Sequence, residues 1–343
     1  VDDLAFASKD TQAIVDVLEQ KYNFKLKGTG PLTFHLGCDF FRDEDGVMCM
    51  SPMKYIKRMV DKYERMFGCK LSQCVTSPLK KGDHPELDDT DLLSAEGIKQ
   101  YQSLIGGMQW AVSLGRIDIT TAVMTMSGFR VAPRAGHLEC AKCIYGYLSK
   151  MHHAAIHFRI DEPDYSDLPV QVFDWTYSVY GNVHEPVPKD APTPLGPYVT
   201  FTHYFDANLM HDCLTGWSVT ACLHLANKTP IDWYSKKQAT VETATYGSEF
   251  VAARTCVKQA MDLCTTFRYM GICIRDRGIM FGDNKSMVDS SVTPHAKLHK
   301  RHLALSFHRV REAVASKIVS FYHIPGNINL ADILSKHWGY QQV

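Results

Sequence analysis

The chain has 343 residues, of which 45% are hydrophobic and 22% are charged, so it is long and apolar enough to form more than one buried core. Its basic and acidic residues balance to a formal net charge of zero, which counts mildly against a nucleic-acid enzyme. The longest nearly apolar stretch, LIGGMQWAVSLG, is about half the ~20 residues that a membrane span requires, and no secretory leader is visible. We therefore expect an intracellular protein that is neither secreted nor inserted in a membrane.

The first half is predicted to be mainly helical after a short β-hairpin. A strand at the start precedes a helix near Thr11–Tyr22, and the hairpin follows over residues 32–51 with Gly46 at its turn. The next segment, SPMKYIKRMVDKYERMFG, has apolar side chains at helical spacing, with Ser51 as the expected N-cap. Three further helical stretches extend to about residue 150.

The second half has a different rhythm. The segment EPVPKDAPTPLGPYV contains five prolines and predicts a linker without a regular element. Three strands follow, over about residues 198–208, 216–227 and 230–238, and then a long helix from about Val241 to Met270. A strand, a helical segment, another strand and a last helix, LADILSK, complete the pattern. This order is typical of the mixed α/β sheet of a nuclease.

The eleven cysteines are scattered singly among these elements, which predicts reduced, mostly buried thiols and not a disulfide framework. The segment HLECAKC places His137, Cys140 and Cys143 on one face of a predicted helix. Zinc requires a fourth ligand, and no residue is spaced to supply it, so we do not expect a zinc site there.

Acidic residues occur in the second half where charge is costly. They interrupt the apolar strand FTHYFDAN, end the strand GIMFGDN, or lie among apolar neighbours on predicted helices: Asp206, Asp283, Glu249 and Asp332. One such residue is often a helix cap or an edge position, and Asp332 near a helix start has that explanation. Four gathered carboxylates would repel each other unless cations lie among them. Two magnesium ions about 3.5–4 Å apart would use such a cluster for phosphodiester hydrolysis.

The segments YFDAN, WYSKKQ, TYGSEFVA, GDNKSM, KLHKRH and YHIPGNINLADILSK resemble the ribonuclease H domain of copia-type retrotransposon polyproteins. Upstream, VDDLAFAS, LTFHLGCDF, YQSLIGGMQWAV, DITTAVMTMSGF and HLECAKCIYGYL resemble the second part of the same family's reverse transcriptase. The resemblance implies an α+β chain. Residues 1–50 would be the C-terminal part of the polymerase palm, 51–163 a helical thumb/connection, 164–198 the proline-rich linker and 199–343 a ribonuclease H-like α/β domain with a mixed five-stranded sheet.

The same resemblance assigns roles to particular residues. It implies that Asp206, Glu249, Asp283 and Asp332 are catalytic and bind metal, and that the Asp pair of VDDL, Asp2 and Asp3, is the polymerase metal pair. It also makes the basic segment a phosphate contact, through Lys297, Lys300, Arg301 and His302. The sequence departs from the family at Gly247, which replaces an acid usually found two residues before Glu249.

The function implied is hydrolysis of the RNA strand of RNA–DNA hybrids with two Mg²⁺ ions, for which Mn²⁺ could substitute. Further implied partners are other parts of a retrotransposon polyprotein, in a cytoplasmic virus-like particle or in the nucleus. The family's first palm carboxylate and its nucleotide-binding fingers precede the Asp pair, so we expect no DNA synthesis by this chain alone. Two alternatives stay open: a non-catalytic relic that at most binds nucleic acid, and an unrelated metal-dependent nuclease or integrase that shares the sheet.

Overall fold

A computed structural model describes residues 4–6, 8–72, 75–80, 82–181, 183–184, 187–275, 277–298 and 300–336. Asp2 and Asp3 lie outside these residues, so the polymerase metal pair stays a prediction. Within the described ranges, no helix combines the length and the apolar character needed to cross a membrane.

The first half contains a small antiparallel sheet and a group of helices. The strands are β1 (Phe34–His35), β2 (Cys38–Arg42), β3 (Met48–Ser51) and β4 (Ile156–His157), in that order across the sheet. The helices are α1 (Thr11–Asp16, continued as a π-helix over Val17–Lys21), α2 (Met53–Phe67), α3 (Ala95–Ser113), α4 (Thr120–Ser127) and α5 (Ala135–Lys150). Helices α2 to α5 enclose one apolar core, in which Ile56, Tyr101 and Met108 are buried. The predicted hairpin is confirmed, and its turn residue Gly46 has a φ of +78°. The palm and thumb assignments stay predictions.

The second half is built on a five-stranded mixed sheet. The elements of the second half are, in chain order, β5 (Leu195–Val199), β6 (Phe201–Asn208), β7 (Val219–Ala226), β8 (Thr229–Lys237), α6 (Thr245–Tyr269), β9 (Ile272–Ile274), β10 (Gly278–Gly282), α7 (Lys285–Val292), α8 (Ala304–Ala315) and β11 (Val319–His323). Strands β5 and β9 form a separate two-stranded sheet. The strand order is β11-β10-β6-β7-β8. Strands β6, β7 and β8 are antiparallel neighbours, whereas β10 runs parallel to both β6 and β11. The mixed sheet expected from the sequence is therefore confirmed.

The two faces of this sheet are covered by different parts of the chain. Helices α6 and α8 pack on one face around Phe250, Phe307 and Phe321. The other face presents alternate residues of β7, and these pack against Leu334 in a 3₁₀ turn over Leu330–Leu334. Helix α4 of the first half lies against the same turn, where the Thr121 hydroxyl donates to the Ile333 carbonyl at 2.9 Å. The first half thus contacts the segment that carries Asp332.

Three local predictions are wrong. Ser51 is the last residue of β3 and donates to the Ala154 carbonyl at 2.8 Å, while α2 begins at Met53 without a side-chain cap. The end of the proline-rich segment is not irregular, because Leu195–Val199 forms β5 and pairs with β9. The last helix, predicted over LADILSK, is a 3₁₀ turn over Leu330–Leu334.

A candidate metal centre of carboxylates

The four acids singled out in the sequence are positioned at one end of the mixed sheet. Asp206 lies on the central strand β6, and Asp283 directly follows β10, the parallel neighbour of β6. Because Tyr204 is paired with Phe281, the residues two further along, Asp206 and Asp283, lie side by side. Glu249 lies near the start of α6, and Asp332 lies in the 3₁₀ turn. Each comes from a different element.

Three of these carboxylates converge closely. One oxygen each from Asp206, Glu249 and Asp283 lies within 4.8 Å of the others. Asp332 is connected to them through Lys336, whose ammonium group forms an ion pair with Asp332 Oδ1 and lies 3.5 Å from Asp206 Oδ2. Three of the four acids therefore converge and Asp332 lies beside them, while their catalytic and metal-binding roles stay predictions.

The cluster is buried and carries more negative charge than its surroundings balance. Glu249 is 4% exposed, and burial, followed by the charges of Asp206 and Asp283, raises its pKa well above its usual range. Burial and then Asp206 also raise the pKa of Asp283. Burial likewise raises the pKa of Asp332, and the Asp206 and Asp283 charges add to that effect against the opposing influence of Lys336.

The donor atoms fit hard divalent cations. The ligand set consists of carboxylate oxygens alone, which suits Mg²⁺ and Mn²⁺ better than metals that prefer nitrogen or sulfur. Within the described residues, Glu249 Oε2 is buried and has no hydrogen-bond partner, although a buried polar atom ordinarily has one. A cation among these carboxylates would satisfy that oxygen and lower the repulsion.

Two neighbouring residues that the sequence analysis did not single out hold the acids in place. The Ser335 hydroxyl donates to Asp206 Oδ2 and lies 3.2 Å from the Asp332 carbonyl. The Asn329 side chain donates to the Phe205 carbonyl at 3.0 Å and accepts from the Ala331 backbone at 3.1 Å. Both residues belong to the segment NINLADILSK, which carries Asp332. The polar residues on either side of Asp332 were therefore the sequence feature that could have indicated these supporting contacts.

The basic segment lies next to the start of α6, the helix that carries Glu249. Lys297 and Arg301 are exposed, Lys300 donates to the Thr243 hydroxyl at 3.1 Å, and His302 Nε2 lies 2.9 Å from a carboxylate oxygen of Glu242. These contacts hold the segment against the residues that directly precede α6. A role in binding nucleic acid stays a prediction.

Gly247, where the resembling family usually has an acid, lies against the side chain of Glu242. The Glu242 carboxylate is buried, and one oxygen lies where a Cβ on residue 247 would be. A carboxyl group is therefore present near that position, supplied from the residues before α6. Sequence reasoning missed it, because Glu242 lies five residues away from the expected position.

His323 is the last residue of β11. Its Nε2 atom also lies 3.1 Å from the backbone carbonyl of Asp283, so it contacts the segment that holds the acid.

Several known proteins are similar to this chain, although no protein-family profile matches it. It is 24% identical to the retrovirus-related Pol polyprotein from transposon TNT 1-94 of Nicotiana tabacum, over 98% of this chain and 23% of that protein. It is 21% identical to the retrovirus-related Pol polyprotein from transposon RE1 of Arabidopsis thaliana, over 98% of this chain and 20% of that protein. It is 29% identical to a putative transposon Ty5-1 protein of Saccharomyces cerevisiae, over 58% of this chain and 60% of that protein. The chain thus spans less than a quarter of the two polyproteins.

Among solved structures, the N-terminal RNase H domain of Rv2228c from Mycobacterium tuberculosis aligns with a TM-score of 0.32 and 13% identity, over 40% of this chain and 91% of that one. RNase H1 from Halobacterium salinarum aligns with a TM-score of 0.31 and 17% identity, over 40% of this chain and 95% of that one.

Proposed function

We propose that this chain, whose homologues are retrovirus-related Pol polyproteins of transposons, contains the metal-dependent nuclease of such a polyprotein. The proposed reaction is hydrolysis of the RNA strand of an RNA–DNA hybrid. The observation that carries the proposal is the convergence of Asp206, Glu249 and Asp283, with Asp332 beside them, at one end of the mixed sheet. Buried carboxylates that repel each other favour bound cations, and two-metal phosphodiester hydrolysis would use such a cluster.

Each protein group has a defined part in the proposed reaction. When bound, two divalent ions, Mg²⁺ or Mn²⁺, would supply the positive charge that activates water and stabilises the leaving oxygen. Asp206, Glu249, Asp283 and Asp332 would hold those ions. Ser335 keeps Asp206 oriented through its hydroxyl. The burial of Asp206 and Glu249 lowers the local dielectric constant, which strengthens every charge interaction in the site.

The substrate would be bound next to this cluster. The exposed cations Lys297 and Arg301 are suitable for phosphate contacts, and Lys300 and His302 are anchored beside them. Hybrids are recognised mainly through shape and the 2′-hydroxyl groups, so sequence specificity should be low.

The test is cleavage of an end-labelled RNA–DNA hybrid in Mg²⁺ and in Mn²⁺, beside the matched DNA duplex and single-stranded RNA. The test variant is Asp283→Asn, and the matched control is Asp289→Asn, which makes the same chemical change at an exposed position on α7. RNA-strand cleavage that requires the hybrid, disappears in Asp283→Asn and persists in Asp289→Asn would support the proposal.

Other outcomes favour the alternatives. Absence of cleavage by a folded protein would support the non-catalytic relic. Cleavage of the DNA duplex without dependence on 2′-hydroxyl groups would support an unrelated nuclease or integrase.

A further inference from the structure

Lys336 extends a positive charge into the carboxylate cluster. Its ammonium group forms an ion pair with Asp332 and lies 3.5 Å from Asp206 Oδ2. The side chain of Asp206 is only 2% exposed, whereas that of Lys336 is 39% exposed. The lysine therefore reaches the acids from the solvent side, on a long side chain that can leave without moving the backbone.

The contacts of Lys336 overlap with those that a bound ion needs. Asp206 Oδ2 accepts from the Ser335 hydroxyl and faces the ammonium group, and Asp332 Oδ1 is held by the same lysine. A divalent ion bound by both carboxylates would lie next to a like charge. Because the Asp206 and Asp332 carboxylates are buried, solvent would screen this repulsion only in part.

We propose that Lys336 is a built-in competitor of the divalent ions: its ammonium group offsets part of the negative charge of Asp206 and Asp332 in the metal-free protein and moves away when an ion binds. This inference rests on the proposed metal-dependent function and adds the group that sets the metal affinity. The displacement of the Lys336 side chain then accompanies metal binding.

A cavity beside Lys336 can accommodate the displaced side chain. Lys336 borders a half-open cavity of about 280 Å³, lined also by Asp83, His84, Asn208 and His211. Asp83 comes from the acidic loop of the first half, and one of its carboxylate oxygens accepts from the Lys80 backbone at 2.9 Å. The other oxygen is suitable for receiving the lysine. The first half would thereby contribute a group to the metal-bound state.

The first experiment measures Mn²⁺ binding to the full chain by isothermal titration calorimetry, and thermal unfolding in EDTA, for Lys336→Gln. Lys228→Gln is the matched control, since Lys228 forms an exposed ion pair with Asp161 outside the cluster. We expect Lys336→Gln to bind Mn²⁺ about tenfold more tightly and to melt at a lower temperature in EDTA than the control. An unchanged or weaker Mn²⁺ affinity would overturn the proposal.

Two further variants make the test independent of one substitution. Lys336→Arg retains the charge and should bind Mn²⁺ within about threefold of the unaltered chain. Asp83→Asn retains an oxygen for the Lys80 backbone, and it should weaken Mn²⁺ binding about threefold without changing the melting temperature in EDTA. A tenfold gain in the Mn²⁺ affinity of Lys336→Arg would contradict the competition by the lysine charge. Unaltered Mn²⁺ binding by Asp83→Asn would contradict the role of the cavity in receiving the displaced lysine. Absence of Mn²⁺ binding by every protein, including the unaltered chain, would instead refute the proposed metal-dependent function.

Discussion

Replacing Glu249 by glutamine should make the metal-free protein more stable. Glu249 is 4% exposed, and its carboxylate lies within 4.8 Å of those of Asp206 and Asp283. At that separation and an effective dielectric constant of about 20, two like charges repel by about 3.5 kcal/mol. Lys336 and partial protonation offset much of this repulsion, so we expect a gain of about 2 kcal/mol in the free energy of unfolding at pH 8. The melting temperature should rise by about 4–8 °C.

The pH dependence of the stability gain in Glu249→Gln follows from the direction in which the pKa of Glu249 is shifted. Because the pKa of Glu249 is raised in the folded state, its ionisation destabilises the fold only above the pKa of an unfolded glutamate, about 4.3. The advantage of Glu249→Gln should therefore be absent at pH 4 and grow as the pH rises to 8. Saturating Mg²⁺ should reverse the sign, because the ion stabilises the carboxylate form more than the amide.

The assay is thermal unfolding followed by circular dichroism between pH 4 and pH 8, in EDTA and in Mg²⁺. The matched control is Glu312→Gln, which removes a carboxylate from an exposed ion pair with Arg309 on α8 and should change the free energy of unfolding by less than about 0.5 kcal/mol. A Glu249→Gln protein that is less stable than the unaltered chain in EDTA at pH 8 would refute the reasoning from charge repulsion.

Three further predictions concern residues outside the cluster. Burial and then the neighbouring His224 lower the pKa of His203, so this histidine stays neutral in the folded protein. Below about pH 6.5, the free energy of unfolding of His203→Phe should therefore rise relative to that of the unaltered chain, by up to about 1.4 kcal/mol per pH unit. A difference that does not depend on pH in urea titrations would contradict this. Gly247→Ala places a methyl group against the Glu242 carboxylate and should lower the free energy of unfolding by about 1–3 kcal/mol. In a double-mutant cycle, Glu242→Ala should restore part of this loss. Strictly additive effects of the two substitutions would exclude the contact. Arg311 is 2% exposed, and its guanidinium group donates to the carbonyls of Ser290, Thr293 and Pro294 and lies 4.9 Å from the centre of the Trp175 ring. Arg311→Met should lower the free energy of unfolding in guanidinium by about 3–5 kcal/mol. An Arg311→Lys protein as stable as the unaltered chain would argue against the need for a planar group.

The sequence predicted the main elements of the second half because the patterns there are local. Asp206 and Asp283 each stand out inside or at the end of an apolar strand, and the strand and helix order restricts the topology. The parallel pairing of β6 with β10 then brings both acids to one end of the sheet. The acids could therefore be predicted from local patterns combined with a family resemblance.

The remaining features depend on partners far away in the chain. Strand β5 lies at the end of the proline-rich segment and pairs with the three-residue strand β9, so its own residues give little indication of a strand. Trp175 lies in the segment expected to be a linker, yet it is 5% exposed because Arg311 and the helical core cover it. Neither contact leaves a periodic signal in the sequence.

A chain of hydrogen bonds connects the helical first half to the acid on the central strand. The Thr125 hydroxyl lies 3.2 Å from His211 Nε2, and the Asn208 side-chain amide lies 3.0 Å from His211 Nδ1. The same amide donates to the Ser335 carbonyl at 3.2 Å, and the Ser335 hydroxyl donates to Asp206. Because the amide nitrogen of Asn208 only donates, His211 Nδ1 must accept, and the proton on His211 Nε2 then points to Thr125.

This arrangement gives the first half a part in the geometry of the proposed nuclease site. The turn that carries Asp332 is held from one side by Thr121 of α4, and Ser335 at its end is held through Asn208. A cluster of mutually repelling carboxylates needs such support, because repulsion would otherwise open the turn in the absence of metal. Removal of the first half should therefore weaken metal binding even where the mixed sheet itself still folds, since the turn would lose its contacts with α4 while the strands would retain theirs.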